Sequence, residues 1–163
     1  MLSPPHRSST GDWPLLADSR YPTPIAAELA EDVLDRFLRY VQVDTQSDDD
    51  SETYPSTAKQ LDLGKMLADE LREIGLEDVE LTEHGYVFAT VPGSAGPTVG
   101  LIAHMYTSSD ESGTNVKPQV IRNYDGADIV LPGDPRKVLR PSENPILAER
   151  AGHDIVTTDG TTL

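Results

Sequence analysis

The sequence lacks cysteine altogether and is poor in basic and aromatic residues. Among 163 residues there is no cysteine, which excludes disulfide bonds and thiol catalysis and fits a reducing compartment, so we expect a cytoplasmic protein. Lysine and arginine number 13 against 28 aspartates and glutamates, and the net charge of −15 argues against nucleic acid and anionic membranes as partners. No apolar run approaches the roughly 18 to 20 residues that a membrane helix needs. We therefore expect a soluble α/β protein.

Residues 1–28 differ in composition from the rest of the chain. Prolines at positions 4, 5, 14, 22 and 24 lie among serine, threonine and glycine, which predicts a disordered extension. Asp12 and Pro14 interrupt the one apolar cluster, so no secretory signal is predicted. The remaining residues, 29–163, suffice for one domain or most of one.

Two amphipathic helices are predicted in the first half of the chain. The first runs from Ala27 to about Val43, with acidic residues near its start and arginine near its end. The second begins after Pro55 with Ser56 or Thr57 as its cap and closes at Gly75. Both are expected to pack on a core through apolar faces, which consist of Val33, Leu34, Phe37, Leu38 and Val41 in the first helix and Leu63, Leu67, Leu71 and Ile74 in the second.

The rest of the pattern predicts short strands. Two runs, 79–82 and 86–91, are joined by Glu83-His84-Gly85 and are typical of a hairpin. Further strands are predicted at 120–121 and 129–131, followed by an irregular segment at 132–145. Asp159-Gly160 is a strong turn signal, which predicts a closing hairpin between 155–156 and 161–162.

The segment Thr98–Asp110 is the most informative part of the sequence. Val99, Leu101, Ile102 and Ala103 form an apolar run after Gly96-Pro97, which predicts a fully buried strand. His104 then lies at the carboxyl end of that strand, the edge at which open α/β sheets bind ligands. A half-buried structural histidine is the alternative interpretation of this position.

Other polar residues have mainly structural interpretations. The stretch 44–52 holds five acidic residues and no basic one, which is typical of a solvated loop, with attraction of a cation as the alternative. His84 is expected to be a solvated turn residue. His153 precedes a strand and is expected to be structural, with a role as a metal ligand as the less favoured alternative.

The segment from Ile102 to Asp110 resembles the first metal motif of the co-catalytic zinc aminopeptidases related to peptidase T, which reads His-x-Asp-Thr-Ser-x-Asp. The similarity extends in order from Leu34 to Leu163. It includes 34–41, Asp44-Thr45-Gln46-Ser47, Pro55-Ser56-Thr57, 115–120, 123–129 and 154–163. This resemblance implies an incomplete three-layer α/β/α catalytic domain over residues 29–163, with an open sheet edge that favours aggregation.

The resemblance also implies a chemistry. Members of this family release the amino-terminal residue from tripeptides and hold two zinc ions, which lower the pKa of bound water and polarise the peptide carbonyl. By position in the motif, His104 is a metal ligand. The implied cofactor is therefore zinc, and the implied substrates are short peptides.

Two departures from the family pattern lead us to expect no activity from this chain alone. Tyr106 stands where the motif has aspartate, so no catalytic residue of the motif is intact. After the segment matched by 154–163 the family continues into Gly-Ala-Asp-Asp, so the bridging aspartate and the other ligands are expected beyond Leu163. The alternative is a non-catalytic relic that acts as a binding module, with a homologous chain as its possible partner.

Overall fold

The computed structural model describes residues 21–162, which form helices and small antiparallel sheets. The helices are α1 (Pro24–Tyr40), α2 (Gln60–Ile74) and α3 (Pro145–Ala148); the strands are β1 (Glu77–Leu81), β2 (Val87–Thr90), β3 (Pro118–Ile121), β4 (Ile129–Val130), β5 (Val138–Leu139) and β6 (Ile155–Thr158). These strands pair as β1–β2, β4–β5 and β3–β6. The mixture of helices and strands agrees with the predicted α/β class, but these residues form three separate two-stranded sheets. Within 21–162, no helix is long and apolar enough to cross a membrane.

Helix α1 begins earlier than predicted. Its first residue is Pro24, and the Thr23 hydroxyl accepts a hydrogen bond from the Ala26 amide at 3.2 Å. Proline favours the first helical position because that residue needs no amide donor there, and threonine is a good N-cap. Residues 24–28, predicted to be disordered, are therefore helical. Residues 1–20 of the predicted extension lie outside the described residues.

The apolar face of α1 is not buried as predicted. Val33 and Phe37 remain 57% and 47% exposed, and none of the helix residues is fully buried. The helix is instead attached to α2 by charged groups. Arg36, Arg39 and Tyr40 all donate hydrogen bonds to the carboxylate of Glu70, which is only 12% exposed. Chiefly through the bond from Arg39, and against the effect of burial, these contacts hold the pKa of Glu70 below its ordinary value.

This cluster predicts a pH dependence of stability. Because the pKa of Glu70 is lower in the folded than in the unfolded chain, its contribution is present above the unfolded pKa of about 4.5 and is lost as pH falls through the folded pKa. We expect the free energy of unfolding to fall more steeply below about pH 5 in the wild type than in Glu70→Gln. Urea denaturation at several pH values measures this. The exposed Glu73 offers a control, since Glu73→Gln should keep the wild-type slope; equal slopes for Glu70→Gln and wild type would contradict the prediction.

Helix α2 ends as predicted but starts differently. Gly75 terminates it with a left-handed φ of +93°, a conformation that favours glycine. Its N-terminal residue has no side-chain cap. The predicted caps serve the preceding loop instead, because Ser56 accepts from the Asp48 amide and Thr57 donates to the Gln46 carbonyl. Because residues 56 and 57 are bound to the preceding loop, the helix starts only at Gln60.

The predicted hairpin at 79–91 is confirmed. Strands β1 and β2 are antiparallel, and Gly85 in the connecting turn has a φ of +82°. His84 is exposed in this turn, 3.8 Å from the Glu83 carboxylate, as expected of a solvated residue. Helix α2 packs on the hairpin at Gly64, where an added Cβ would lie 2.9 Å from a Leu81 methyl group. The glycine therefore permits this close approach.

The best-buried apolar cluster lies in the last third of the described chain. It consists of Tyr124, Ile129, Leu131 and Leu147, with Ile121 and Ile155 packed against it. The strand predicted at 120–121 is present, the one predicted at 129–131 is present over Ile129–Val130, and the segment predicted to be irregular contains β5. The predicted closing hairpin is wrong: β6 pairs in register with β3, from Pro118 opposite Thr158 to Ile121 opposite Ile155. Asp159 instead accepts bonds from the Thr161 amide and hydroxyl, which closes a tight local turn.

The predicted central strand at 98–103 is also wrong for the described residues. No strand is formed there, and Val99, Leu101 and Ile102 are 77%, 95% and 99% exposed. A strand requires a neighbour that accepts and donates ladder hydrogen bonds. Within residues 21–162, the one parallel bridge nearby joins Gln46 to Thr107, beyond the end of the apolar run. The run therefore has the composition of a buried strand without a partner strand.

Candidate functional site

Two polar segments, 44–49 and 107–111, lie side by side next to His104. The Thr107 amide donates to the Thr45 carbonyl at 3.2 Å, and the Ser47 amide donates to the Thr107 carbonyl at 2.9 Å. The Gln46 side-chain amide extends the contact by donating to the carbonyls of Ser109 and Glu111. These bonds fix the residues after His104 against the loop that follows α1.

Asp44 is the best-connected carboxylate of this region. Its oxygens accept from the Thr114 hydroxyl at 2.7 Å and the Gln46 amide at 3.1 Å, and the Lys59 ammonium lies at 2.8 Å. Partial burial alone would raise the pKa of Asp44, but the bonds from Lys59, Thr114 and Gln46 lower it below its ordinary value. Asp44 is thus not part of a solvated loop as predicted, whereas Asp48, Asp49 and Asp50 are exposed.

His104 has an orientation suited to metal binding. Its Nδ1 lies 2.9 Å from the carbonyl oxygen of Tyr106. Because a carbonyl oxygen only accepts, the ring nitrogen must donate, which leaves Nε2 of the neutral ring with a free lone pair. Metal-binding histidines commonly donate their other ring nitrogen to a carbonyl or carboxylate in this way. The His104 residue is exposed.

The Tyr106 side chain lies against the imidazole. The two ring centroids are 4.9 Å apart with an angle of 44° between the planes, and Tyr106 is 51% exposed. A phenol has a hydroxyl in place of the two acceptor oxygens of a carboxylate. It therefore brings no carboxylate charge next to the histidine.

His104 and Tyr106 border two open cavities. One, of about 510 Å³, is lined by hydroxyl and carboxylate residues that include Asp49, Ser108 and Asp110. The other, of about 640 Å³, is apolar and lies between α1, α2 and β6. His104 thus borders hydroxyl and carboxylate residues in one cavity and apolar residues in the other.

The other sequence candidates do not meet at this site. His84 lies in the β1–β2 turn, and neither it nor His153 lines either cavity. The His153 carbonyl accepts from the Tyr124 amide at 2.8 Å, a structural contact at the entrance of β6. Lys59 and Thr114, which sequence patterns do not single out, belong to the site region through Asp44. Because both residues lie far from Asp44 along the chain, no local sequence pattern indicates that they contact it.

Comparison of sequences relates this chain to one group of known proteins. The chain is 49% identical over 138 residues to peptidase T of Geobacillus sp. (strain WCH70), covering 83% of this chain and 34% of that protein. It is 52% identical over 134 residues to peptidase T of Halothermothrix orenii, covering 80% and 33%. This chain is homologous to the amino-terminal part of peptidase T. The peptidase T of Bacillus subtilis (strain 168) gives the same relation, with 49% identity over 138 residues. No family model matches the sequence.

The match to peptidase T includes most of this chain but only part of each peptidase T. The match includes more than four-fifths of this chain but about one-third of the length of each peptidase T. The fold and site described above therefore correspond to the amino-terminal third of those proteins. The role of His104 as a metal ligand stays a prediction.

Proposed function

We propose that this chain supplies the amino-terminal part of a peptidase T-like aminopeptidase, which releases the first residue of tripeptides with the help of zinc. The placement of His104 is the observation that carries the proposal. Its Nδ1 is held by a carbonyl 2.9 Å away, which leaves Nε2 for a metal, and the residue borders a cavity lined by hydroxyl and carboxylate residues. The homology to peptidase T supports the reaction class.

The described residues do not complete a zinc site. A catalytic zinc ion usually takes three protein ligands and one water molecule. Within residues 21–162, no three histidine, cysteine, aspartate or glutamate side chains are grouped to hold a metal ion. We therefore propose that His104 supplies one ligand and that the others come from sequence equivalent to the remaining two-thirds of peptidase T. By itself, the 163-residue chain is expected not to hydrolyse peptides.

Zinc content and hydrolysis together test this proposal. Purified from zinc-containing medium and dialysed, the chain alone should retain no stoichiometric zinc by elemental analysis and should leave tripeptides intact. A chimera that joins it to the carboxyl-terminal two-thirds of the Bacillus subtilis peptidase T should retain zinc. His104→Ala should lower the zinc affinity of the chimera by tenfold or more, since a ligand costs at least as much as a group that only orients one.

His153→Ala is the matched control for that measurement, because His153 borders neither cavity. It should leave the zinc content of the chimera unchanged. Stoichiometric zinc in the isolated chain would refute the proposal that the other ligands come from elsewhere. Full zinc affinity in the His104→Ala chimera would refute the assignment of His104.

A second candidate function is a non-catalytic binding module that pairs with a homologous chain. Tyr106 favours it, since a phenol stands in place of the aspartate of the motif that the segment resembles. The exposed apolar residues at 99–102 favour it as well. Association with a peptidase T polypeptide without tripeptide hydrolysis, in the presence of added zinc, would support this function over the first.

A further inference from the structure

One peptide group connects His104 to the loop that follows α1. The carbonyl of Tyr106, which accepts from Nδ1 of His104 at 2.9 Å, belongs to the same planar peptide group as the amide of Thr107. That amide donates to the Thr45 carbonyl at 3.2 Å. Rotation of this peptide group therefore breaks at least one of the two hydrogen bonds. Whatever fixes the Thr45 carbonyl also fixes the acceptor that orients the imidazole.

The backbone at Thr45 is buried and is held through both of its neighbours. Thr45 itself is only 3% exposed. Before it, the Asp44 carboxylate accepts from the Thr114 hydroxyl at 2.7 Å and from the Gln46 amide at 3.1 Å. After it, the Gln46 carbonyl accepts from the Thr57 hydroxyl at 2.8 Å. The position of the Thr45 carbonyl thus depends on how Gln46 is held.

The Gln46 side chain reaches across to the segment that follows His104. Its side-chain nitrogen donates to the carbonyls of Ser109 at 3.1 Å and Glu111 at 2.9 Å. Its side-chain oxygen faces the Lys59 ammonium at 3.5 Å. A neutral primary amide offers two N–H donors to these two carbonyls and an acceptor to the lysine, which is a combination that a carboxylate lacks.

Gly113 brings the same two segments into contact a second time. This residue is buried, and a Cβ added to it would lie 3.3 Å from the Thr107 hydroxyl oxygen and 3.4 Å from a carboxylate oxygen of Asp44. The segment after His104 therefore meets the loop at Thr107 and again at Gly113. The Gln46 side chain binds the chain between these two points.

We propose that Gln46 is a positioning residue for His104, acting through the backbone and not by contact with a metal ion or a substrate. Its bonds hold the Thr45 carbonyl and the peptide group between residues 106 and 107 in place, so that Nδ1 of His104 carries the hydrogen and Nε2 keeps its lone pair. This inference rests on the proposed function, in which Nε2 binds zinc. An imidazole that loses this acceptor samples both tautomers, and the one with hydrogen on Nε2 has no lone pair there for a metal.

The tautomer of His104 tests the proposal in the full chain without metal or substrate. Nitrogen-15 chemical shifts of the ring distinguish a nitrogen that carries hydrogen from one with a free lone pair. We expect the wild type to populate mainly the tautomer with hydrogen on Nδ1. Gln46→Glu keeps the shape of the side chain but loses both N–H donors, and Gln46→Met loses the polar groups without adding charge. At the same pH, both should lower the ratio of the two tautomers about threefold or more, as expected from weakening one hydrogen bond.

Gln42→Glu is the matched control for these variants. The exposed Gln42 side chain donates to the Leu38 carbonyl, four residues earlier, at 2.7 Å, so the same chemical change is made away from His104. It should leave the tautomer ratio at the wild-type value. Because Gln46 lies outside the buried cluster that contains Tyr124, both variants at position 46 should still unfold cooperatively. An unchanged tautomer ratio, or loss of folding in both variants, would overturn the proposal.

The zinc affinity of the chimera described above separates position from charge. Gln46→Glu adds a negative charge, which by itself attracts a cation and would raise the affinity. We expect instead a loss of about tenfold in both Gln46 variants, at the lower end for groups that orient a metal ligand, and no change in Gln42→Glu. Unchanged or higher affinity in both Gln46 variants, in a chimera that loses zinc with His104→Ala, would overturn the proposal. A shifted tautomer ratio together with full zinc affinity in His104→Ala would refute the metal site and leave the positioning of the ring by Gln46 standing.

Discussion

Tripeptide turnover should rise about tenfold to a hundredfold when Tyr106→Asp is introduced into the chimera with the carboxyl-terminal two-thirds of a peptidase T. In this chain the His104 Nδ1 donates to the Tyr106 backbone carbonyl at 2.9 Å, and the phenol ring lies over the imidazole. A carbonyl orients the imidazole but carries no charge. We expect an aspartate at position 106 to place a carboxylate beside the imidazole, since the present ring centroids are 4.9 Å apart, and its charge to make Nε2 a stronger ligand for the proposed metal.

Two further variants separate charge from shape in this experiment. Tyr106→Asn offers an acceptor oxygen of similar position without the charge, and Tyr106→Phe keeps the ring without the hydroxyl. Both should stay close to the turnover of the Tyr106 chimera. The ratio kcat/KM, measured with each variant loaded with zinc under the same conditions, gives the comparison. Equal values for the aspartate and asparagine variants would show that the negative charge contributes nothing.

Leu131→Ala should destabilise the chain far more than the same change at an exposed leucine. Leu131 is 6% exposed in the cluster with Tyr124, Ile129 and Leu147. Removing a buried leucine side chain costs about 2 to 5 kcal/mol, because apolar contacts are lost and a cavity remains. In a small protein this is a large part of the total stability. A variant that is already unfolded in buffer agrees with the expectation as well.

Leu101→Ala is the control, because it makes the same chemical change at a residue that is 95% exposed. It should change the free energy of unfolding by no more than about 0.5 kcal/mol, as is usual for exposed positions. Urea denaturation of both variants at 25 °C measures the difference. Equal losses would indicate that Leu101 is buried in solution, as the sequence pattern predicts, and would contradict the structure.

The correctly predicted elements are encoded by neighbouring residues. The β1–β2 hairpin follows from alternating residues around a turn with Gly85 at positive φ, and the end of α2 follows from Gly75 in the left-handed region. Both depend on backbone preferences within a few residues, which are the same whatever the rest of the chain does. The family is also predictable from sequence, since the motif around His104 and the order of the other matches need no structure.

The wrongly predicted elements depend on residues far away in sequence. Ser56 and Thr57 have the right chemistry for a helix cap, but their hydroxyls bind the loop at 46–48. Asp159-Gly160 has the right chemistry for a hairpin turn, but β6 pairs with β3. In each case a distant partner competes with the local one, and a local pattern contains no information about that competition.

The amino-acid sequence by itself determines the net charge and the absence of thiols. It also determines the homology to peptidase T and the positions of His104 and Tyr106 in the motif that the segment resembles. Folding was needed to bring Asp44 to Lys59 and Thr114, and to bind Nδ1 of His104 to a carbonyl. The folded chain also leaves the apolar run at 99–102 exposed while it buries Leu131. The sequence shows which side chains would gain from burial. Whether they are buried depends on the other segments of the chain, which must cover them.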